Sequence, residues 1–541
     1  MEKRSVLKKT GLLVLGLQLA LSSCLAGHGA MRVDAGSSIV DHADPAMKGS
    51  LANVLSQIGS ATCAVVKLPG NSVYVLGQDL TVPSNVDLKF LPGAVLSVSE
   101  GAALSINGGI EAGLRQIFSG EGIVGGAPKI VEVYPQWFGT KGDGDTDDTQ
   151  TLQNAIDFAC RTGIKAVNLN RGTYVVTKTI DCTNLRQPGT LSRDGLRIYG
   201  TSGFVGANTV IVGETGDGHA ILEISGIQSG EFDNFRLVSG KKNPSTVGLF
   251  MGCPKKLPQC QNNVIHIGIG MHDDMNANGG LGTIALWNFA AEENTYQSVY
   301  FVANRPVVLS AFNNSPAAAF AFNYEHSYVE LLQVHSLGVT AFSGECFVQS
   351  LGGAPVFTTQ CANTLVCENT YVCGRGNGSA VFEVYGSLVN LNYKGVVEGR
   401  ATFLQNNGSI INGDISATYG GVVDQKAPLI RMGDKSRIIN TTLKFALEAA
   451  RDRNLFAQNG SARSKAKAKG GDIDKAIKEG KVAGEVAPVV GLKQEAITKA
   501  ALVNTEIFTS GMKDEYLKVP NVLRKGSRNS RIIAPAKIIE L

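Results

Sequence analysis

From Ser72 onward the chain is written in short alternations of apolar and polar residues, and that rhythm restricts it to β-structure that grows by repetition. SVYVL, VDLKF, VLSV and LSIN (72–107) are separated by turns carrying Pro-Ser-Asn, Pro-Gly, Ser-Glu-Gly and Asn-Gly-Gly. Period two turns alternate side chains to opposite faces, so each run offers one face to a core. Three such strands and their turns make a coil of roughly 20 residues or more. VIHIGIG, SVYFVAN, AVFEVYG, LVNLNY and SIINGDI carry the rhythm on to about residue 440, with Asn and Gly at corners that need left-handed backbone. With 541 residues, 64 of them Gly, and only 18 % charged, the chain fits an elongated repeat better than a string of compact domains. A body of this length holds on the order of a dozen or more coils, each about 4.8 Å high.

One segment departs from the simple rhythm. Phe138-Gly-Thr-Lys-Gly-Asp-Gly-Asp-Thr-Asp-Asp-Thr149 leads into Leu152, Ile156 and Ala159 or Cys160 at helical spacing. Asp147 or Asp148 is placed to cap that helix, and the glycines allow the tight turn before it. Such a helix can close the open end of a solenoid and hide its strand edges. VNLNRGTY (167–174) follows, then LRIYG (196–200) and FDNFRL (232–237). This stretch resembles the opening motif and the following VxxPxGTY strand of the pectate-lyase-like superfamily, with Asn170 where that pattern has proline. The specific likeness covers about 130–240. It implies an all-β fold, a right-handed parallel β-helix with an N-terminal capping helix, and the basic, polar sequence after about 446 reads as a partly helical or disordered C-terminal tail.

The N-terminus reads as an address. Lys3, Arg4, Lys8 and Lys9 precede an apolar run from Gly11 to Ala20, too short to span a bilayer. Leu21-Ser-Ser-Cys24 resembles a bacterial lipobox, which implies cleavage before Cys24, lipidation there and membrane attachment through the lipid. The expected address is the outer membrane, cell surface or periplasm, and the absence of an acidic residue at Leu25 and Ala26 favours the outer membrane of a Gram-negative cell. The expected organisation is a signal peptide (1–23), a tether and N-terminal cap (24–70), N-terminal coils (71–130), the main β-helix (131–445), and a basic linker with appendage (446–541).

Charge narrows the partners. Residues 451–541 hold 18 basic and 10 acidic residues, whereas 24–450 hold 28 basic and 35 acidic ones. An acidic body with a basic tail lacks the Lys and Arg excess that phosphate contacts need, so nucleic acid is not an expected partner. Cys361, Cys367 and Cys373 are not at zinc-ligand spacing, and Cys253–Cys260 is the most plausible local disulfide. Cys160 reads as core. Asp143, Asp145, Asp147 and Asp148 make calcium the one metal worth naming, although capping explains them more simply. Analogy with spikes leaves a trimer open, but no heptads announce one.

The chemistry is less constrained. Glycoside hydrolysis needs two carboxylates flanking the bond, and the polygalacturonase branch carries them in Asn-Thr-Asp, Asp-Asp, Gly-His-Gly and Arg-Ile-Lys motifs. Here there is no Asn-Thr-Asp and no Arg-Ile-Lys, and the single Gly-His-Gly is at 27–29. A lyase needs a base for the proton beside a uronate carboxylate, and a cationic group for the resulting enolate. Candidates lie within 262–335: His266, His272, Asp273, Asp274, Glu292, Glu293, Arg305, Tyr324, Glu325, His326, Glu330 and His335. Tyr324-Glu325-His326 is the preferred catalytic cluster, and His272-Asp273 the next. The leading expectation is an envelope-anchored lyase or hydrolase of an acidic polysaccharide. The other is a non-catalytic glycan binder or adhesin, which repeated aromatics on a flat flank would favour.

Overall fold

The computed structural model describes residues 51–58, 60, 64–185, 187–202, 208–252, 260–280, 282–289, 291–310, 336–351, 354–359, 362–374, 380–385, 388–398, 402–420, 428–433, 435–451, 456–458, 500–512, 517, 521–535 and 537–541. The expected signal peptide, Cys24, Cys253, the 311–335 segment and most of the expected basic linker lie outside them. The described residues fall into two compact units, one up to Gly139 with Arg161–Ile164, the other Thr140–Cys160 with Lys165–Leu541.

The first unit is a small three-faced parallel β-helix. Its sheets are Ala64–Leu68, Val86–Phe90 and Ile110–Glu111; Ser72–Leu76, Ala94–Val98 and Phe118–Ser119; and Leu80–Val82, Ala103–Ile106 and Ile123–Gly126. Ala64 lies opposite Val86 and Ser72 opposite Ala94, which fixes a coil of 22 residues. Inward positions such as Val66, Leu88, Leu96, Val98 and Ile106 are fully buried. The expected tether holds a helix, Leu51–Ile58, with Leu51, Val54 and Leu55 buried.

The second unit is a right-handed parallel β-helix built on two long ladders, one of 19 strands and one of 10 among the described residues. The predicted helix is Thr149–Thr162, burying Leu152, Ala155, Ile156, Phe158, Ala159 and Cys160. The motif around it has a packing reason. The ring of Tyr174 is fully buried, and a Cβ on Gly142 or Gly172 would sit 2.9 or 2.8 Å from it. Asn170 has φ 61°, a left-handed conformation that proline, locked near −65°, cannot adopt. The departure from the family pattern is therefore built into the turn.

The two ladders differ in what covers them. In the 10-stranded sheet, Val247–Gly252, Ile284–Phe289, Ala380–Val384 and Thr402–Asn406 are buried at every position. The 19-stranded sheet keeps the alternation, as in Glu231–Ser239 and Tyr300–Ala303, so it presents an open face. Its inward side chains stack coil on coil, with Tyr296 on Phe342 at 4.8 Å. The ladder also runs past the expected limit at 445. Leu502 pairs opposite Ile438, Ile507 opposite Leu443 and Ile532 opposite Ile507, all fully buried. What the sequence suggested was an appendage is, over these strands, more solenoid.

Candidate active site on the open sheet

Since the 10-stranded sheet is covered, a polymer can reach the second unit on the outward rows of the 19-stranded one. Parallel register sets those rows. Asn168 faces Tyr199, Tyr199 faces Asp233, and Asp233 faces His266, one residue per coil. Two residues back on the same face, Arg197 opposes Glu231. Each inward neighbour (Ile198, Phe232, Ile265) is buried, which turns these polar side chains outward.

The contacts make two sets on this face, one around His266 and one around Arg197. His266 Nδ1 lies 2.7 Å from Asp233 Oδ1, both partly exposed. The other Asp233 oxygen accepts the Asn234 amide at 2.8 Å. Arg197 Nε reaches Glu231 Oε2 at 3.3 Å, and its guanidinium lies 4.6 Å from the centre of the Tyr199 ring. A carboxylate on Nδ1 selects the neutral tautomer that carries its proton there and leaves Nε2 as the basic nitrogen. The face thus carries an oriented base, a tyrosine two coils along the same row, about 10 Å in backbone rise, and a cation.

The corner beside it is made by Asn234, with φ 58°. Beyond that corner the same strands form a second outward row, in which Arg236 faces Gly268, Gly268 faces Tyr300, Tyr300 faces Phe347 and Phe347 faces Tyr371. Tyr300 and Phe347 stack at 4.8 Å and 10°, Phe347 and Tyr371 at 5.3 Å and 12°. Burial and the neighbouring Glu398 push the Tyr371 hydroxyl well above the usual phenol range.

The sequence-derived candidates are dispersed. Tyr324, Glu325 and His326, with Glu330 and His335, lie outside the described residues. His272 and Asp273 are described, but each has a different partner. His272 Nδ1 meets Ser239 Oγ at 3.0 Å and its Nε2 is 3.9 Å from Asp274, whereas Asp273 accepts the Asn304 amide at 2.6 Å. Ser239 donates its proton to the Ser245 carbonyl at 2.6 Å, so this is no activated serine. Asn304 also takes the backbone N–H of Asp274 and Thr283, and the group as a whole shapes the 271–283 loop. Glu293 sits at a corner with φ 53°. Arg305 is held against Glu383 (3.6 Å) and Thr358 (3.1 Å), in a network that includes Tyr385 and Gln405.

The aspartate cluster is occupied by its own chain. Asp143 accepts the N–H groups of Thr146 and Asp145, which hold its carboxyl down at about 2. Asp147 accepts the Thr149 N–H at the start of the helix. Asp148 instead holds the preceding turn through Lys141 and Gly142, and burial raises it. Among the described residues no group of three or more His, Cys, Asp or Glu is placed to hold a metal ion. Cys160, Cys346 and Cys367 are buried, which raises each thiol and makes it a poor nucleophile.

Residues 136–303 match the family described as rhamnogalacturonase A/epimerase, pectate lyase-like. No curated protein matches the chain. Among solved structures, ORF18 of Geobacillus virus E2 is similar over 75 % of this chain and 61 % of its own, at 11 % identity and a TM-score of 0.27. This chain therefore spans less than two thirds of that protein. The A-module of the Azotobacter vinelandii mannuronan C-5 epimerase AlgE4 is similar over 73 % of this chain and 99 % of its own, at 13 % and 0.34. PfbA, a surface adhesin of Streptococcus pneumoniae, is similar over 60 % and 89 %, at 10 % and 0.32.

Proposed function

We propose, from the pectate-lyase-like character of residues 136–303, that this protein acts on a uronate-containing polysaccharide by removing the proton beside the sugar carboxylate. The observation that carries the reading is the His266–Asp233 pair, 2.7 Å apart on the open sheet, with Tyr199 in register with Asp233 and Arg197 against the Tyr199 ring. His266 Nε2 is the base. Asp233 holds the ring and stabilises it once protonated. Arg197 offers positive charge to the developing enolate, and Tyr199, in register with Asp233, is the proton donor on the same row. If the substituent on the neighbouring carbon leaves, the outcome is eliminative cleavage. If a proton returns on the opposite face, it is epimerisation, and both share the first step.

Hydrolysis is the weaker reading. Glu231 and Asp233 share one strand and one face, but Asp233 is committed to His266 and Asn234, which leaves Glu231 without a second carboxylate to act with. A binder without catalysis is the other reading, favoured by the outward row Tyr300, Phe347 and Tyr371. For location we propose lipidation at Cys24 and attachment to the envelope, tested by incorporation of labelled palmitate into the wild-type chain and not into Cys24→Ala.

The catalytic test is incubation of the chain in heavy water with polygalacturonate, alginate and glycosaminoglycans. Unsaturated-uronate absorbance, reducing ends and deuterium at the sugar C5 are followed together. Absorbance or deuterium uptake that disappears in His266→Gln supports the reading. Reducing ends without either signal mean hydrolysis, and activity unaffected by His266→Gln removes His266 from the chemistry.

A further inference from the structure

We infer that the outward row Arg236, Tyr300, Phe347 and Tyr371 is a second, non-catalytic track that binds an acidic glycan, with one sugar carboxylate seated at Arg236. The inference rests on the proposed class of substrate and not on the chemistry at His266.

Three observations meet here. The first is an unspent cation. Arg236 makes no ion pair among the described residues, and its buried Nε has no hydrogen-bond partner. A guanidinium offers a planar fork that matches a carboxylate with two parallel hydrogen bonds. The second is a seat made by glycine. A Cβ on Gly270 would stand 2.7 Å from Arg236 Nη2, so the guanidinium lies across a position that any side chain would fill. From there it reaches toward Tyr300, 5.8 Å from the ring centre.

The third is the aromatic row itself. The rings stack face to face from coil to coil, so their edges are what the row presents outward, with the Tyr371 hydroxyl bonded to Glu398. Apolar edges interleaved with hydroxyls suit a saccharide, which alternates C–H and O–H groups, and aromatics beside Arg are enriched at binding surfaces. The ends differ in charge: Arg236 stands at one, and Glu398, hydrogen-bonded to Tyr371, at the other. The cationic end at Arg236 is therefore the one that holds a sugar carboxylate. The Asn234 corner separates this row from His266, so the track lengthens the grip on a polymer without entering the reaction.

The test uses the full chain and two probes, polygalacturonate and the same polymer with its carboxylates reduced to alcohols. Binding is measured by calorimetry, with turnover and KM in parallel. Arg236→Met is expected to weaken polygalacturonate binding roughly tenfold or more, the loss expected for a desolvated charge pair. Its affinity then equals that of the wild type for the reduced polymer. Arg236→Lys recovers part of the loss. Gly270→Ala reproduces Arg236→Met by displacing the guanidinium, and Phe347→Ala weakens both polymers. Turnover of polymer falls through KM, while kcat is kept.

Unchanged binding in Arg236→Met and Gly270→Ala overturns the track and leaves the His266 reading standing. If Phe347→Ala lowers thermal stability but not binding, the row is packing only and the inference fails. If the wild-type chain neither binds nor converts any acidic polymer, the inference and the proposed function fall together.

Discussion

Replacing Asp233 by Asn separates the chemistry of the His266 pair from its mere presence. Asp233 Oδ2 accepts the Asn234 amide at 2.8 Å, so an Asn in its place keeps its carbonyl oxygen there and turns its NH₂ toward His266. Nδ1 of the imidazole, 2.7 Å from that position, must then accept rather than donate. The ring proton moves to Nε2, the nitrogen assigned the role of base, and proton abstraction loses its acceptor. General-base catalysis contributes on the order of 10²–10⁴-fold, so kcat should fall by that factor, about 3–5 kcal/mol of barrier. Both side chains are partly exposed, so folding stability should change by less than about 1 kcal/mol. Nitrogen NMR of labelled histidine reads the tautomer directly, independently of any substrate. A proton that stays on Nδ1 in Asp233→Asn, or a tautomer shift without loss of turnover, would refute the assignment.

Three further outcomes test the scaffold. Arg193 is buried, bonded to Asp157 at 2.9 Å and to the Thr183 carbonyl at 3.1 Å, so Arg193→Met should cost about 3 kcal/mol in denaturant unfolding. A Cβ on Gly108 would stand 1.7 Å from the Val86 carbonyl oxygen, which is backbone and cannot yield, so Gly108→Ala should cost about 3 kcal/mol and lower the melting temperature. Burial pushes Glu214 up, but the N–H groups of Asn243, Lys242 and Lys241 outweigh it and hold the carboxyl below its usual 4.5. A depressed folded-state value gives stability that is complete above the unfolded value and lost as pH falls through the folded one. Glu214→Gln should therefore be less stable than wild type at neutral pH, with the gap closing below about pH 4 in melts across that range.

The repeat was legible because each coil repeats one local instruction. SVYVL, VDLKF and LSIN alternate cleanly, and the turns between them are short, so strand existence and a coil of about 20 residues follow from period and turn chemistry. The C-terminal strands were harder to place. A long basic stretch separates Arg437–Arg451 from Ala501–Val503, and nothing local shows that Leu502 pairs back on Ile438. The Asn170 departure was visible but mute, because its meaning is a φ of 61° that only the folded turn reveals.

The site was harder still, for a reason that belongs to the fold. Sequence reasoning grouped His272 with Asp273 because they are adjacent, and adjacency in a loop sends neighbours to different partners, here Ser239 and Asn304. In a parallel coil the nearest outward neighbour is one full turn away. Asp233 meets His266 from 33 residues upstream, and Tyr199 meets Asp233 across another coil. Strands LRIYG and FDNFRL were both recognised, and period two already turns Arg197, Tyr199 and Asp233 to the same side as their counterparts. What was missing was register. Coil length in this unit varies with the loops, so the row Tyr199–Asp233–His266 exists only once those loops have set which residues stand above one another.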